Sequence, residues 1–340
     1  MELFEIQPYK PEFSLSCMNL EKACPQGETF RMTFWRKEFH LRSQAFERSN
    51  LIVAKTEEGI IGTLGWAIKE VIYQKVQRLA AFFFDFRVSP RFRDKGVAIQ
   101  LLRAAYRRLD ELGIDLRYVY CVGDNIPLRD FISKLFGGIE VGGYKYLVWP
   151  VYRKLPVKEA PAEVSPKCVH NEFLLRNNTF DFFCDPFKNG VLRGHLSSYI
   201  YRDAGCSIWS NKDILEEVIV TMPKFYSLLK KAVSCFPLNT IRWPFFPALG
   251  VPIKSWYLFD FFAFDSEAAL KLLFHLNNLA LEQEVRFCYL IFSAQFPWIS
   301  DIKKAGPSIF APTLPYRLMV KDTKSPPAKV ENLYVDIRDI

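Results

Sequence analysis

The pattern of apolar and polar positions is most informative between Leu79 and Gly137. Leu79-Ala80-Ala81-Phe82-Phe83-Phe84-Asp85-Phe86-Arg87-Val88 is a near-continuous apolar run closed by Ser89-Pro90, which predicts a largely buried strand. From Val97 the period changes. Val97, Leu101, Leu102, Ala105, Leu109 and Leu112 fall on one side of a helix, and Arg103, Arg107, Arg108, Asp110 and Glu111 fill the other. Gly113 is a helix stop, and Arg117 to Val122 reads as the next strand, with Gly123-Asp124-Asn125 at its carboxyl end.

Upstream, Leu3 to Tyr9 predicts a short opening strand. Phe13 to Ala23 and Thr33 to Phe46 read as helical material around a Pro-Gln-Gly break. Leu51 to Lys55 and Ile60 to Ile68 predict a hairpin around Thr56-Glu57-Glu58-Gly59. Downstream, the Pro-rich stretch between Pro150 and Pro166 reads as a connector. After it, Ile253 to Phe264 predicts a long aromatic strand and Ser266 to about Glu284 a helix, with Ala269, Leu272, Leu273, Leu276 and Ala280 on one side. Val285 to Ser293 predicts a further strand, so the strand–helix–strand order of the central stretch recurs. The expected class is α/β with a mixed sheet, in a first domain at 1–152, a linker at 153–166 and a second domain at 167–340.

Composition sharpens this picture. The 340 residues suit about two domains, and 31 phenylalanines support a large core. Asp85 and Asp260 break the two longest apolar candidates short of the ~20 residues of a membrane span, and Glu2 and Glu5 lie where a secretory signal would be basic. The expectation is a cytoplasmic protein without a membrane partner. The eight cysteines form no C-x-x-C pair and the four histidines are dispersed, so neither a disulfide framework nor a metal is expected. Net charge is +8, yet Lys and Arg mix with Asp and Glu almost everywhere. That balance suits an anionic small molecule better than nucleic acid.

The candidate chemistry lies in Arg91-Phe92-Arg93-Asp94-Lys95-Gly96-Val97-Ala98. The first amides of a helix lack intrahelical partners and sit at the positive end of its dipole. A phosphate there is held by backbone N–H groups, with Gly96 and Ala98 leaving room and Arg91, Arg93 and Lys95 adding charged hydrogen bonds. No Gly-Lys-Ser or Gly-Lys-Thr of a Walker turn and no G-x-G-x-x-G occurs. What stands there, Arg93-x-x-Gly96-x-Ala98 behind a buried strand, resembles the coenzyme A signature of the GNAT acyltransferase superfamily.

The resemblance implies the GNAT fold, acetyl-CoA as cosubstrate and an amine-bearing acceptor, protein or small molecule. It assigns the pantetheine arm to Phe86, Val88 and Asn125, and the pyrophosphate to Arg91, Arg93, Asp94, Lys95, Gly96, Val97 and Ala98. Counting from Asn125 and Lys134, Ile132 stands where the family carries a tyrosine that protonates the departing thiolate. Asp85 is a candidate base or a paired structural residue. Tyr118, Tyr120, Tyr144 and Tyr146 are candidate acids or packing residues. At the second helix start, Asp265-Ser266-Glu267 replaces the basic turn, which makes the second half a degenerate GNAT-like domain. Over most of its length the chain resembles the plant Hookless-type N-acetyltransferases. That likeness rests on Arg87-Val88-Ser89-Pro90, Asp124-Asn125, Phe245 to Gly250, Lys324-Ser325-Pro326-Pro327 and Tyr334 to Arg338. The alternatives are a coenzyme A-binding scaffold without turnover and a specific polyamine or antibiotic acetylase.

Overall fold

The computed structural model describes residues 4–27, 30–123, 126–176, 180–188, 190, 192–212, 214–225, 228, 248–293, 296–305 and 313–340. Asp124, Asn125 and the Phe245-Phe246-Pro247 segment therefore lie outside the described residues. The strands, in chain order, are β1 (Glu5–Pro8), β2 (Arg31–Trp35), β3 (Ser49–Thr56), β4 (Gly59–Tyr73), β5 (Val76–Val88), β6 (Leu116–Val122), β7 (Ile139–Pro150), β8 (Ala162–Val164), β9 (His195–Tyr201), β10 (Ala204–Trp209), β11 (Glu216–Thr221), β12 (Ser255–Ala263), β13 (Phe287–Ser293) and β14 (Thr313–Asp322). The helices are α1 (Ser14–Ala23), α2 (Val97–Glu111), α3 (Ile126–Phe131), α4 (Pro166–Arg176), α5 (Ser266–Glu282) and α6 (Ile299–Ala305).

Twelve strands form one mixed sheet in the order β1-β3-β4-β5-β6-β14-β7-β13-β12-β10-β9-β8, while β2 and β11 pair separately. Among the named strands of the described residues, β5–β6 and β12–β13 are the parallel pairs, and both are short: Ala80 to Phe82 against Leu116 to Tyr118, and Ser255 to Leu258 against Phe287 to Leu290. Beyond Phe82 and Leu258 the partners diverge, so each half of the chain opens a fork inside its own sheet. The closing strand of each half then crosses over: β7 pairs with β13 of the second half and β14 pairs with β6 of the first. β7 and β14 also pair with each other, which makes the sheet continuous.

The strand period of two assigns alternate residues to opposite faces. On one face α2 covers a cluster that includes Ala81, Phe83, Leu101 and Cys121, and α5 covers a second that includes Trp149, Leu258, Leu272 and Leu290. Gly62 on β4 lets α2 come close, since a Cβ there would stand 2.9 Å from Val97 Cγ1. The opposite face carries one aromatic layer that runs through both halves, with Phe82, Phe84, Tyr118, Tyr144, Tyr146, Tyr257 and Tyr289.

The structure differs from the expected elements at several places. Thr33 to Phe46 is not helical: Arg31–Trp35 is a strand, followed by short 3-10 turns at Phe39–Leu41 and Ser43–Ala45. The partner of that strand is Glu216–Thr221, remote in sequence, and its aromatic and β-branched residues suit the pleat. The strand before the basic turn starts at Val76 rather than Leu79, with Leu79 itself 38% exposed. Within the 153–166 connector, Ala162–Val164 adds the edge strand β8 beside β9.

Candidate active site

The first-half fork is built by a bulge. Along β4–β5, Thr63 faces Arg87 and Gly65 faces Phe84, so Leu64 stands opposite two residues, Asp85 and Phe86. The extra residue takes positive φ: Asp85 has φ 49°, which costs a non-glycine residue about 1–3 kcal/mol. Three residues hold it. Arg36 grips the Asp85 carboxylate with Nη1 at 2.8 Å and Nη2 at 3.1 Å, Arg42 Nη1 adds a contact at 3.4 Å, and Thr63 Oγ1 donates to the Asp85 carbonyl at 2.8 Å. Burial alone would raise the Asp85 pKa, but the charges of Arg36 and Arg42 outweigh it and hold the carboxyl well below the usual range. Glu21 completes the cluster, accepting from Arg36 at 2.7 Å and from Arg87 at 2.7 Å. Asp85 is thus placed as an ionised anchor of the bulge.

Past the bulge, Val88 leads through Ser89 and a 3-10 turn at Pro90–Phe92 into the start of α2. Gly96 is the N-cap in the left-handed region, φ 80°, and Asp94 has φ 61°. No side chain caps the helix, so the first amides of α2 face outward unclaimed by a cap. Arg91, Arg93 and Lys95 line this turn, and among the described residues none of them makes an ion pair. Lys95 Nζ rests 4.8 Å over the Phe92 ring. Val97 is buried against β4, and Ala98 is half-buried. The turn, the Phe86–Val88 edge and the fork therefore meet at one end of β5. Asn125 lies outside the described residues.

Ile132 sits in a π-helical turn after α3 and is buried under α2 with Phe136. Its side chain packs into the core of that layer, and a proton donor is not built there. Tyr118, paired with Phe82 at the closed end of the fork, donates from its hydroxyl to Asp339 Oδ2 at 2.8 Å. Tyr120, two residues further along β6, has a buried hydroxyl with no hydrogen-bond partner among the described residues. Tyr144 and Tyr146 follow on β7, with ring centroids 5.0 Å from Tyr120 to Tyr144 and 5.3 Å from Tyr144 to Tyr146. Burial pushes all four phenols well above their ordinary pKa, which leaves them hydrogen-bond donors rather than proton donors.

Asp339 was not visible as a site residue in the sequence. Its carboxyl also accepts from Lys69 Nζ at 2.5 Å, and Lys69 is shared with Asp336 at 3.0 Å. Asp336 has Arg338 as a second cation at 2.7 Å. Burial dominates for Asp339 and raises its pKa to about 6, while at Asp336 burial is outweighed by the charges of Arg338 and Lys69, which push it down. The alternating Asp336-Ile337-Arg338-Asp339 pattern was the available signal, but it could not reveal a partner on β4 some 270 positions away.

The second half repeats the frame with other chemistry. Asp260 sits in a bulge opposite Cys206 with φ 50°, and its carboxylate is held by His170 Nδ1 at 2.7 Å. The fork beyond Leu258 is a cleft of about 400 Å³ lined by Phe173, Phe264, Phe296 and Trp298 among others. Trp298 Nε1 donates to the Ala263 carbonyl at 3.1 Å, on the β12 edge that faces the cleft. At the start of α5, Asp265 caps the helix by accepting from the Ala268 amide at 2.7 Å.

With the fork, the bulge and the basic turn in place, sequence comparison adds a match over part of the chain. Residues 15–137 match the model of the Acetyltransferase (GNAT) family. The matched stretch runs from α1 through the fork and ends just past Ile132 and Phe136, so the basic turn at Arg91 to Ala98 lies inside it. Among solved structures, two of Saccharomyces cerevisiae N-myristoyltransferase with bound myristoyl-CoA superpose with TM-scores of 0.62 and 0.61. Each is 12% identical in sequence, the match covers 98% of this chain, and it covers 90% and 86% of those chains. At that identity the likeness is one of fold: a mixed α/β architecture with a large mixed sheet, the GNAT fold in the arrangement of N-myristoyltransferase. A search of curated proteins returns no match in sequence. Among the described residues, no group of three His, Cys, Asp or Glu side chains is arranged to hold a metal ion, and no helix is long and apolar enough to cross a membrane.

Proposed function

We propose that this chain is an N-acyltransferase that moves an acetyl group from acetyl-CoA to an amine on a protein, peptide or small molecule. One observation carries the reading: the fork that opens after Phe82 and Tyr118 ends at a helix start ringed by Arg91, Arg93 and Lys95. The edge at Phe86 and Val88 would take the pantetheine arm as an added strand. The amides from Gly96 to Ala98 would hold the pyrophosphate, and Asn125 would contact the arm.

In the reaction a neutral amine attacks the thioester carbonyl, the tetrahedral oxygen is met by a backbone amide released from the β4 ladder at the bulge, and the carbon–sulfur bond breaks. The acceptor ammonium must first lose a proton. Asp339 lies one hydrogen bond from Tyr118 at the fork, and its pKa of about 6 is close to that of an efficient general base at neutral pH. The attacking nitrogen gives up its second proton to solvent as the amide forms, and the leaving thiolate takes its proton from solvent, because Ile132 carries none and the buried phenols hold theirs tightly. On this reading 1–152 binds the cofactor, 153–166 connects, and 167–340 is the degenerate GNAT-like half of a cytoplasmic, Hookless-type enzyme.

The test is thiol release from acetyl-CoA over a panel of amines and peptides, with myristoyl-CoA as a second donor because the structural neighbours hold it. Release that depends on an amine supports the reading. Binding of acetyl-CoA without release over any amine turns it to the second reading, a coenzyme A-binding scaffold. Ile132, and an Asp85 fully engaged by arginines, favour that second reading.

A further inference from the structure

The aromatic layer that crosses both halves has a polar seam. From the fork it passes Tyr120 on β6, Tyr316 on β14, Tyr144 and Tyr146 on β7, and Tyr289 and Tyr257 on β13 and β12. Successive ring centroids stand 5.0 Å apart from Tyr144 to Tyr316, 5.0 Å from Tyr146 to Tyr316 and 6.0 Å from Tyr146 to Tyr289. Tyr120, Tyr316 and Leu314 are only partly buried, so the seam is reachable from the side of the fork. Tyr146 is 4% exposed with its hydroxyl interacting with that of Tyr144, and the buried hydroxyl of Tyr120 has no hydrogen-bond partner among the described residues. A buried hydroxyl left unpaired is costly, and such groups mark a place where a ligand or water belongs.

At the far end stands Glu217. It comes from β11, whose partner β2 belongs to the first half, so the small two-stranded sheet over the seam is built by both halves. Phe34 of β2 packs against the same aromatic layer. The Glu217 carboxylate accepts from Tyr289 Oη at 2.5 Å, and among the described residues it forms no ion pair. Burial raises its pKa, with the Tyr289 hydrogen bond opposing. Burial and then the Glu217 charge raise the phenol pKa values of Tyr257 and Tyr316. Arg42, whose charge also reaches these two phenols, is already engaged by Asp85 and by the carbonyls of Asp339 and Ile340 at 3.2 and 3.1 Å. A carboxyl beside tyrosine hydroxyls, with no cation paired to it among the described residues, is chemistry suited to an ammonium or guanidinium, through charge and hydrogen bond together.

We propose that Glu217 is a specificity-determining residue that binds a second positive charge on the acceptor, so that the preferred substrates are chain-like amines with two cationic ends. This rests on the acyltransferase reading above, with the reacting nitrogen at the β5–β6 fork. Between β6 and β13 lie β14 and β7, so the two ends are three strand spacings apart, about 14 Å. A long aliphatic diamine spans that distance, as do about four extended peptide residues followed by a lysine.

The experiment compares 1,12-diaminododecane with 1-aminododecane, and the peptide Gly-Ala-Ala-Ala-Lys with its Gln-ending counterpart, in wild type and Glu217→Gln. Steady-state kinetics are paired with calorimetry on coenzyme A-loaded protein. The expected result is a KM and Kd at least about tenfold lower for the dicationic member of one pair, abolished by Glu217→Gln with kcat little changed. The pair that shows it identifies a polyamine-like or a peptide acceptor. Tyr289→Phe, which keeps the carboxyl but removes its hydrogen bond, should keep most of the preference. Equal KM and Kd within both pairs, or a preference that survives Glu217→Gln, overturns the inference. Dications that bind more tightly but are never acylated keep Glu217 as a cation site and remove the transferase reading instead.

Discussion

Asp85 and Asp260 occupy matching places in the two halves. Each follows a phenylalanine in a Phe-Asp-Phe run, each sits in a bulge at the mouth of a fork, and each has φ near +50°. Their counterions differ. Asp85 is gripped by Arg36, which stays charged at every accessible pH, while Asp260 depends on His170.

That difference predicts a pH dependence near neutrality at the second bulge and none there at the first. Burial alone would lower the His170 pKa, but hydrogen bonding and charge from Asp260 outweigh it and raise the pKa above its ordinary value. The stabilisation is therefore complete below about pH 6.5 and is lost as pH rises through the higher folded-state value. Hydrogen exchange of β12 and α4 should quicken from about pH 6.5 upward in wild type, beyond the intrinsic pH dependence of exchange. His170→Gln should flatten that dependence, and an unchanged pH response in the variant would count against the pairing.

Arg36 neutralises two buried carboxylates at once, Asp85 and Glu21, with side-chain exposures of 0% for the arginine and 1% for each acid. Arg36→Met should cost roughly 3–5 kcal/mol in denaturant unfolding, because the acids are left buried without their main cation. Asp85 itself has a depressed pKa, so its contribution is present above the unfolded value of about 3.9 and fades as pH falls. The loss caused by Asp85→Asn should accordingly shrink as the solution is acidified below that value. A variant as stable as wild type at neutral pH would remove the claim that the pair holds the bulge.

Arg93 stands at the turn before Gly96. If it meets a phosphate of coenzyme A, losing that bond costs about 1.5–3 kcal/mol, so Arg93→Glu should weaken acetyl-CoA binding at least roughly tenfold. Calorimetry giving equal affinity in both proteins would remove the assignment.

One coenzyme A should bind per chain. The second fork keeps a cleft of about 400 Å³, but Trp298 already takes the Ala263 carbonyl and Asp265 already caps α5. An acid at that helix start repels a pyrophosphate. Equilibrium dialysis that finds two equivalent sites would refute this, as would full binding after Arg93→Glu.

Asp339, with its pKa raised to about 6 by burial, is useful as a base only when ionised. The rate should therefore rise with pH through about 6, and Asp339→Asn should lower kcat by about 10²–10⁴-fold and erase that inflection. Substituting Tyr120 by Phe should change kcat by much less, since its phenol keeps its proton. A hundredfold loss at Tyr120 with binding intact would instead make it the acid.

Much of this protein was legible in the chain itself, wherever the information is local. The apolar run from Leu79 to Val88, the helix period from Val97, the break at Gly113 and the turn at Gly96 that starts the helix depend on neighbours a few residues apart. So does the acidic cap that distinguishes the second helix start. What the sequence could not decide depends on strands that meet across the fold. Thr33 to Trp35 reads as helical from sequence and becomes part of a strand, Arg31–Trp35, only because Glu216–Thr221 pairs with it, and the insertion of Thr313–Asp322 between the strands of the first half has no local signature. Only that crossing brings Tyr316 beside Tyr144, and only the return of the tail over the sheet brings Asp339 to Tyr118 and Lys69. The role of Asp85 was also undecidable from sequence, because a carboxylate is a base or an anchor according to whether a cation reaches it, and Arg36 reaches it from 49 positions away.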